Sequence, residues 1–298
     1  MIKKLYYKIF KRDKKNIYKI ENKIKYFKEK YEIELVKINN AIDNKKELNL
    51  FHSGPLGDLI YSFPLIRKLS ERHKCNLYVN LNKKFTYEYY KHTGKGFYID
   101  DRTYNFLIPL LEKQSFISKF KKYENEKIDV NLDLFREIPI SFTFNSPRWF
   151  FAITGEHFDL NEPSLFVDEH NVIKNKIVIL RSFRFRNIYI NYNFLKNYKN
   201  LLYVGVNDEF QDLKKQIPNL EMYDCKNLLE MAQIIKSSKF FVGNQSIGIA
   251  LAEALKIPRL LEKCPGFPVV QLEGGECYDF YFQNHFEKWF KHLYEKLD

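Results

Sequence analysis

The sequence predicts an α/β protein built of two similar halves behind a basic helical arm. Three observations carry that expectation. Short apolar runs alternate with longer helical patterns from Lys45 onward, the alternation restarts at Lys176, and positive charge is concentrated ahead of both. The chain has 298 residues, 45% of them hydrophobic, enough to furnish two ordinary cores. Residues 1–46 hold fifteen Lys and Arg against six Asp and Glu, a net +9 of the chain's +12. Lys is interleaved there with Leu, Tyr, Ile and Phe, which suits either an amphipathic helix on an anionic membrane surface or a solvated helical arm. No nucleic-acid partner is expected, because no recognition motif accompanies the charge.

In the first half, strands are expected near 47–53, 75–81 and 127–133, with helices near 58–72 and 103–122. The stretch 147–163 reads as an irregular close to that half. The second half should hold strands at 176–180, 201–205, 240–242 and 259–262, a short extended segment at 220–223, and helices over 208–216 and 228–236. Ser246 is placed to cap a helix running to Leu255, which Pro258 shuts off. Phe282, Phe286, Trp289, Phe290 and Leu293 share one face of a last helix over 280–297.

Several classes are disfavoured. No run of 18 apolar residues and no signal-peptide pattern occurs, so the expectation is a cytoplasmic protein, peripheral at most on the inner face of the membrane through its arm. Cys75, Cys225, Cys264 and Cys277 are scattered, with no C-x-x-C pair and no His at ligand spacing, and are expected to be reduced thiols rather than a metal or disulfide framework. A G-x-S-x-G motif is missing, which leaves hydrolase chemistry without support.

Three segments can carry chemistry. After the apolar run 48–51, a turn with Gly54, Pro55 and Gly57 leads into a helix and presents Asp58 at a strand's C-terminal edge, where open α/β sheets bind ligands. His52, Ser53, Gly54 and Gly57 are expected on the same acceptor side of a cleft. After 176–180 come Arg181, Ser182, Arg184 and Arg186, and guanidinium forks suit phosphate oxygens, although an exposed basic loop would read the same way. Gly243, Asn244, Gln245 and Ser246 then open a helix whose free N–H groups and dipole favour an anion. Glu253 and Glu262 could touch a ribose or sugar, or serve as solvated or capping groups. Asp129 and Asp133, four apart on one strand face, read as structural or acceptor-facing.

The Gly57-Asp58 segment, through Pro64, resembles the G-D-x-(I/V)-x-x-x-P element of glycosyltransferase family 9, the ADP-heptose:lipopolysaccharide heptosyltransferases, whose Asp is the proposed catalytic base. Residues 241–258 resemble that family's D-(T/S)-G-x-x-H-x-A-A-A-x-G-x-P donor loop. Ser246 falls on the Thr/Ser, while Gln245, Ile247 and Ala250 stand in place of the Asp, Gly and His. Family members place hydroxyls and a Lys where this chain has Ser182 and three arginines.

The resemblance implies a GT-B architecture, two Rossmann-like domains facing a cleft, with residues 47–170 on the acceptor side and 171–298 binding the nucleotide sugar. It also implies a last helix that crosses back to the first domain. The implied reaction is a metal-independent, inverting transfer from a nucleotide-diphospho-sugar to a surface or lipid-linked glycan. Asp58 would take the acceptor's proton and the Arg181, Arg184 and Arg186 cluster would stabilise the departing diphosphate. No cofactor is called for, and no D-x-D motif lies in a strand-end loop. The altered donor loop keeps two other readings open, a non-catalytic GT-B glycan- or nucleotide-binding module and a nucleotide-sugar epimerase.

Overall fold

The computed structural model describes residues 12–84, 96–138 and 144–297. The arm forms α1 (Arg12–Phe27), a π-turn (Lys28–Glu32) and α2 (Ile33–Asn44). The first half follows as β1 (Glu47–His52), α3 (Leu56–Tyr61), α4 (Phe63–Ser70), β2 (Lys74–Val79), α5 (Asp101–Glu112), β3 (Lys119–Lys122), β4 (Val130–Asn131), a 3-10 turn (Leu132–Arg136) and α6 (Pro147–Thr154). The second half is β5 (Ile177–Leu180), a 3-10 turn (Asn193–Asn197), β6 (Leu201–Val204), α7 (Asn207–Lys214), β7 (Glu221–Tyr223), α8 (Leu228–Lys236), β8 (Phe240–Asn244), α9 (Ile247–Leu255), β9 (Arg259–Glu262), β10 (Cys277–Phe280) and α10 (Gln283–Lys296).

Both sheets are wholly parallel, in the orders β3-β2-β1-β4 and β10-β9-β8-β5-β6-β7. Parallel strands covered on both faces must be apolar throughout, which is why Ile177, Val178, Ile179 and Leu180 are all buried. In each sheet the first strand is internal: the chain builds outward on one side and then returns to the other. Strand order therefore reverses between β1 and β4, and again between β5 and β8, and such switch points are where open α/β sheets receive ligands. The halves meet where α3 packs on α9 and α5 on α8. One apolar cluster runs through both, joining Leu59 and Ile60 to Ile249 and Leu251.

Several expectations are corrected. The helix expected over 58–72 is two helices meeting at Ser62, because Pro64 has no N–H to continue the ladder. The helix over 103–122 ends at Glu112, and the alternating Lys119–Lys122 becomes an edge strand guarded by its lysines. The irregular stretch at 147–163 contains α6, started by Pro147 in its first turn and stopped by Gly155 at φ +71°. The strand expected at 127–133 shrinks to Val130–Asn131, since the Asn131 side chain accepts from the Asp133 N–H and starts a turn. Asp129 and Asp133 therefore do not share a strand face.

The arm is also shorter than 1–46 suggests. Tyr31, Ile38, Ala41 and Ile42 are buried in the first half's core and α2 packs on α6, leaving α1 as the projecting part. β10 is an added strand beside β9. The last helix does not cross back: Phe286, Phe290 and Leu293 lie in an apolar cluster formed by the second half alone. The rings of Phe280 and Phe286 stack at 4.2 Å, and Tyr192 meets Phe286 at 4.8 Å. All four cysteines are free.

Phe286 is fully buried, so Phe286→Ala should cost about 3–5 kcal/mol in urea-induced unfolding. A cost below about 1 kcal/mol would mean that α10 is not packed on its own sheet.

Candidate functional site

At the first switch point, β1 ends in His52 and the chain turns through Ser53, Gly54 and Pro55 into α3, whose first turn carries Asp58. Gly54 has φ +87°, and a Cβ there would come 2.8 Å from Ile99 Cγ1, so the turn requires glycine. From the end of β4, Arg136 reaches back across the sheet. Its Nη2 donates to Asp58 Oδ2 at 2.5 Å and to the Gly54 carbonyl at 2.5 Å, while Nη1 pairs with Asp133. Asp133 also accepts from the Ser53 N–H at 3.3 Å, the Ser53 hydroxyl and Lys83 Nζ at 3.1 Å. Asp58 and Asp133 thus share one guanidinium.

Their electrostatics differ. Burial pushes the Asp58 carboxyl above the ordinary carboxylate range, against the pull of Arg136 and, from the second half, of Arg184. Burial also opposes ionisation of Asp133, but Arg136, Ser53 and Lys83 overcome it and hold that carboxyl at about 2. His52 corrects an expectation. It is fully buried against Phe150 rather than facing a cleft, its Nδ1 accepts from the Gly54 N–H at 2.8 Å, and burial drives its pKa down to about 3. It is therefore neutral with its proton on Nε2. Ser53 is buried behind the turn, orienting Asp133, and Gly57 is half-buried, where a Cβ would make ordinary contact with Tyr61 at 4.0 Å.

At the second switch point, Asn244 closes β8 and ties the loop after β5. Its Oδ1 accepts from the Ser182 N–H at 2.9 Å, and its Nδ2 donates to the carbonyls of Ser182 at 2.9 Å and Arg184 at 2.6 Å. Gly243 lets the two strand ends approach, since a Cβ there would sit 2.4 Å from the Leu180 carbonyl oxygen. Gln245 ties the other flank, donating to the Phe267 carbonyl at 2.8 Å. Ser246 stands at the start of α9 with extended backbone, but its hydroxyl donates to the Asn244 carbonyl at 3.2 Å instead of capping the helix.

The arginines separate into different roles. Arg181 is buried and grips Glu262 through Nε and Nη2, at 2.7 and 2.9 Å, while the Asn187 N–H and the Tyr192 hydroxyl complete that carboxylate's shell. Its expected phosphate role is corrected, because it is buried with Nε and Nη2 engaged by Glu262 and the Asn187 and Ile190 carbonyls. Arg186 pairs with Asp212 at 2.6 Å and donates to the Ser182 carbonyl at 3.0 Å, bracing the loop. Ser182 is buried, its hydroxyl donating to the Arg184 carbonyl at 3.1 Å. Arg184 is half-buried, and its charge pulls down the carboxyls of Asp58 and Glu209. Glu253 is corrected as well: it is buried between Arg259, at 2.6 Å, and Lys256, and is a structural anchor.

Sequence reasoning passed over Arg136, Lys83 and the part played by Asp133. The signal for Arg136 was its place, a few residues past a parallel strand's C-terminal end, where such sheets collect functional groups. Extending the expected strand to 133 hid it. Chemically, the assembled site offers a carboxylate of raised basicity held by one guanidinium.

Two parallel Rossmann-like sheets, each with a reversal of strand order at its ligand edge, define a GT-B-like two-domain architecture. The chain has the heptosyltransferase-like fold of glycosyltransferase family 9. A family 9 glycosyltransferase from Veillonella parvula superposes with a TM-score of 0.53 at 10% identity, over 83% of this chain and 89% of that one. The ADP-heptose LPS heptosyltransferase II of E. coli gives 0.52 at 12% identity, over 85% and 99%. The glycosyltransferase TibC from enterotoxigenic E. coli gives 0.51 at 18% identity, over 78% of this chain and 62% of that one. No protein-family model matches the sequence, and no curated protein does.

Asp133 makes stability acid-sensitive. Its folded carboxyl titrates at about 2, below the roughly 3.9 of an unfolded Asp, so ionisation favours the fold. That contribution is complete above the unfolded value and is lost as pH falls through the folded one. Between about pH 5 and 2 it should remove on the order of 2 kcal/mol. Asp133→Asn, weaker at neutral pH, should lose correspondingly less across that window in urea titrations. Equal acid losses in both proteins would count against the ion-pair assignment.

Proposed function

We propose that this chain is an inverting glycosyltransferase that moves a sugar from a nucleotide-diphospho-sugar to a hydroxyl of a surface or lipid-linked glycan. The observation that carries the reading is Asp58 itself, presented past β1 at the first sheet's switch point and held there by Arg136 at 2.5 Å. The donor class is further supported by the shared fold, since one solved form of TibC is a complex with ADP-D-β-D-heptose.

In this reading the acceptor oxygen attacks the anomeric carbon from the face opposite the diphosphate, and the carbon–oxygen bond to the diphosphate breaks as the new one forms. Asp58 takes the acceptor's proton, and its raised basicity suits that task. Arg136 fixes the carboxylate's direction by holding it to the Gly54 turn. Arg184 and the N-terminal turn of α9 receive the charge that develops on the departing diphosphate. A binding module without turnover is the second reading, favoured by Gln245, whose amide is engaged in tying the 264–267 loop.

The test is a thermal-shift panel of adenosine, guanosine and uridine diphospho-sugars, followed by assay of nucleoside diphosphate release with glycan acceptors. Binding and release together support transfer, and binding without release at any acceptor supports the module. The proposal asks for no metal, so release should persist in excess EDTA.

Asp58→Asn, whose amide oxygen can still accept from Arg136, should fold and lose at least ~100-fold in turnover with little change in donor affinity. In the unsubstituted chain, turnover should fall as pH drops through the raised Asp58 value, because the protonated carboxyl cannot accept. Near-normal turnover in Asp58→Asn would overturn the assignment.

Arg184→Ala should weaken nucleoside-diphosphate binding roughly 10-fold or more, the loss of one charge-assisted contact at about 1.5–3 kcal/mol. Calorimetric titration measures it. Unchanged affinity would place the diphosphate elsewhere.

A further inference from the structure

The arm follows one helical path through two environments. At its inner end, Tyr31, Ile38 and Ile42 are buried in the first half's core. Carried outward from Tyr31, the same three-and-four spacing runs through the half-buried Phe27 to Ile24, Ile20 and Ile17. Those three isoleucines are 51%, 56% and 57% exposed. At about 100° per residue they fall within about 60° of one another, forming a narrow apolar stripe along α1.

The rest of α1 is cationic. Six Lys and Arg stand against two carboxylates between Arg12 and Phe27, and the exposed Lys23 and Lys25 lie off opposite edges of the stripe. Among the described residues no helix is long and apolar enough to cross a membrane. A helix with an apolar stripe and a basic remainder is matched to the plane of an anionic interface, where the stripe enters the acyl boundary and the lysines stay among phosphates. A second copy is a poorer partner. Pairing two stripes would bring together two helices that each carry six Lys and Arg against two carboxylates, a net +4 on each side of the seam.

We propose that α1 docks this protein on an anionic lipid bilayer, with Ile17, Ile20 and Ile24 inserted and the flanking lysines on lipid phosphates. Because α2 is built into the first half's core and joined to α1 through the π-turn, docking tethers the body to the surface through a short connection. The inference is independent of the proposed transfer reaction.

The experiment is co-sedimentation of the full chain with vesicles of equal parts phosphatidylglycerol and phosphatidylcholine, and with phosphatidylcholine alone. Binding is expected on the anionic vesicles, fading as salt shortens the Debye length. The triple variant Ile17→Ser, Ile20→Ser, Ile24→Ser should bind at least ~10-fold more weakly while melting at the same temperature, because none of the three is buried. A second variant, Lys19→Gln, Lys23→Gln, Lys25→Gln, should lose the anionic preference and keep the helix. Unimpaired vesicle binding by the serine variant, or no binding by the unsubstituted chain, would overturn the proposal. A dimer in sedimentation equilibrium that the serine substitutions dissolve, without vesicle binding, would assign the stripe to a second copy.

Discussion

Arg136 carries a guanidinium into a position where burial disfavours its charge, and it stays charged because Asp58, Asp133 and the Gly54 carbonyl all accept from it. Three segments depend on that arrangement: the turn after β1, the first turn of α3 and the 3-10 turn after β4. A buried charge deprived of its partner is far more costly than the pair is worth, so the three segments are coupled through this one side chain. The direction of the Asp58 carboxylate follows from the same contact. A site residue on a six-residue helix has little intrinsic order, and the bond to Arg136 supplies it.

The second half reaches rigidity by a related route with neutral groups. Asn244 and Gln245 are consecutive, and each ties a different loop to the end of β8, one side chain to the loop after β5 and the next to the loop after β9. Behind them lie two buried ion-pair clusters, Arg181 with Glu262 and Glu253 with Arg259 and Lys256. In the low dielectric of the core these pairs need complete hydrogen-bond shells, and Tyr192, Asn187 and the Glu273 N–H provide them. Arg184, in the same tied loop, adds a positive charge that lowers the carboxyls of Asp58 and Glu209.

Much of this organisation was legible in the chain. The buried strands β5 and β6 were readable because a parallel strand covered on both faces leaves no choice but a continuous apolar run, and β1, β8 and β9 were readable from shorter apolar stretches. Lys119–Lys122 and Cys277–Phe280 were not, since edge strands are short and polar on their open side. Pro147 read as a break although proline in a first turn starts a helix as readily as it ends one. The aromatic face of α10 was evident, but its destination was not, because an apolar face does not name the surface that will cover it.

The sequence by itself determined that two α/β halves follow a basic arm, and that Asp58 stands in a glycine-proline turn at a strand's edge. Turn chemistry and strand burial are local properties, so residues a few positions apart announce them. Only the tertiary structure decided which charges face the site. Arg136 meets Asp58 across 78 positions, Arg181 meets Glu262 across 81, and His52 is sealed behind the turn by Phe150 from a distant helix. Whether a cation is free for a ligand or held by a carboxylate depends on what the fold brings within about 3 Å of it, and no local pattern encodes that.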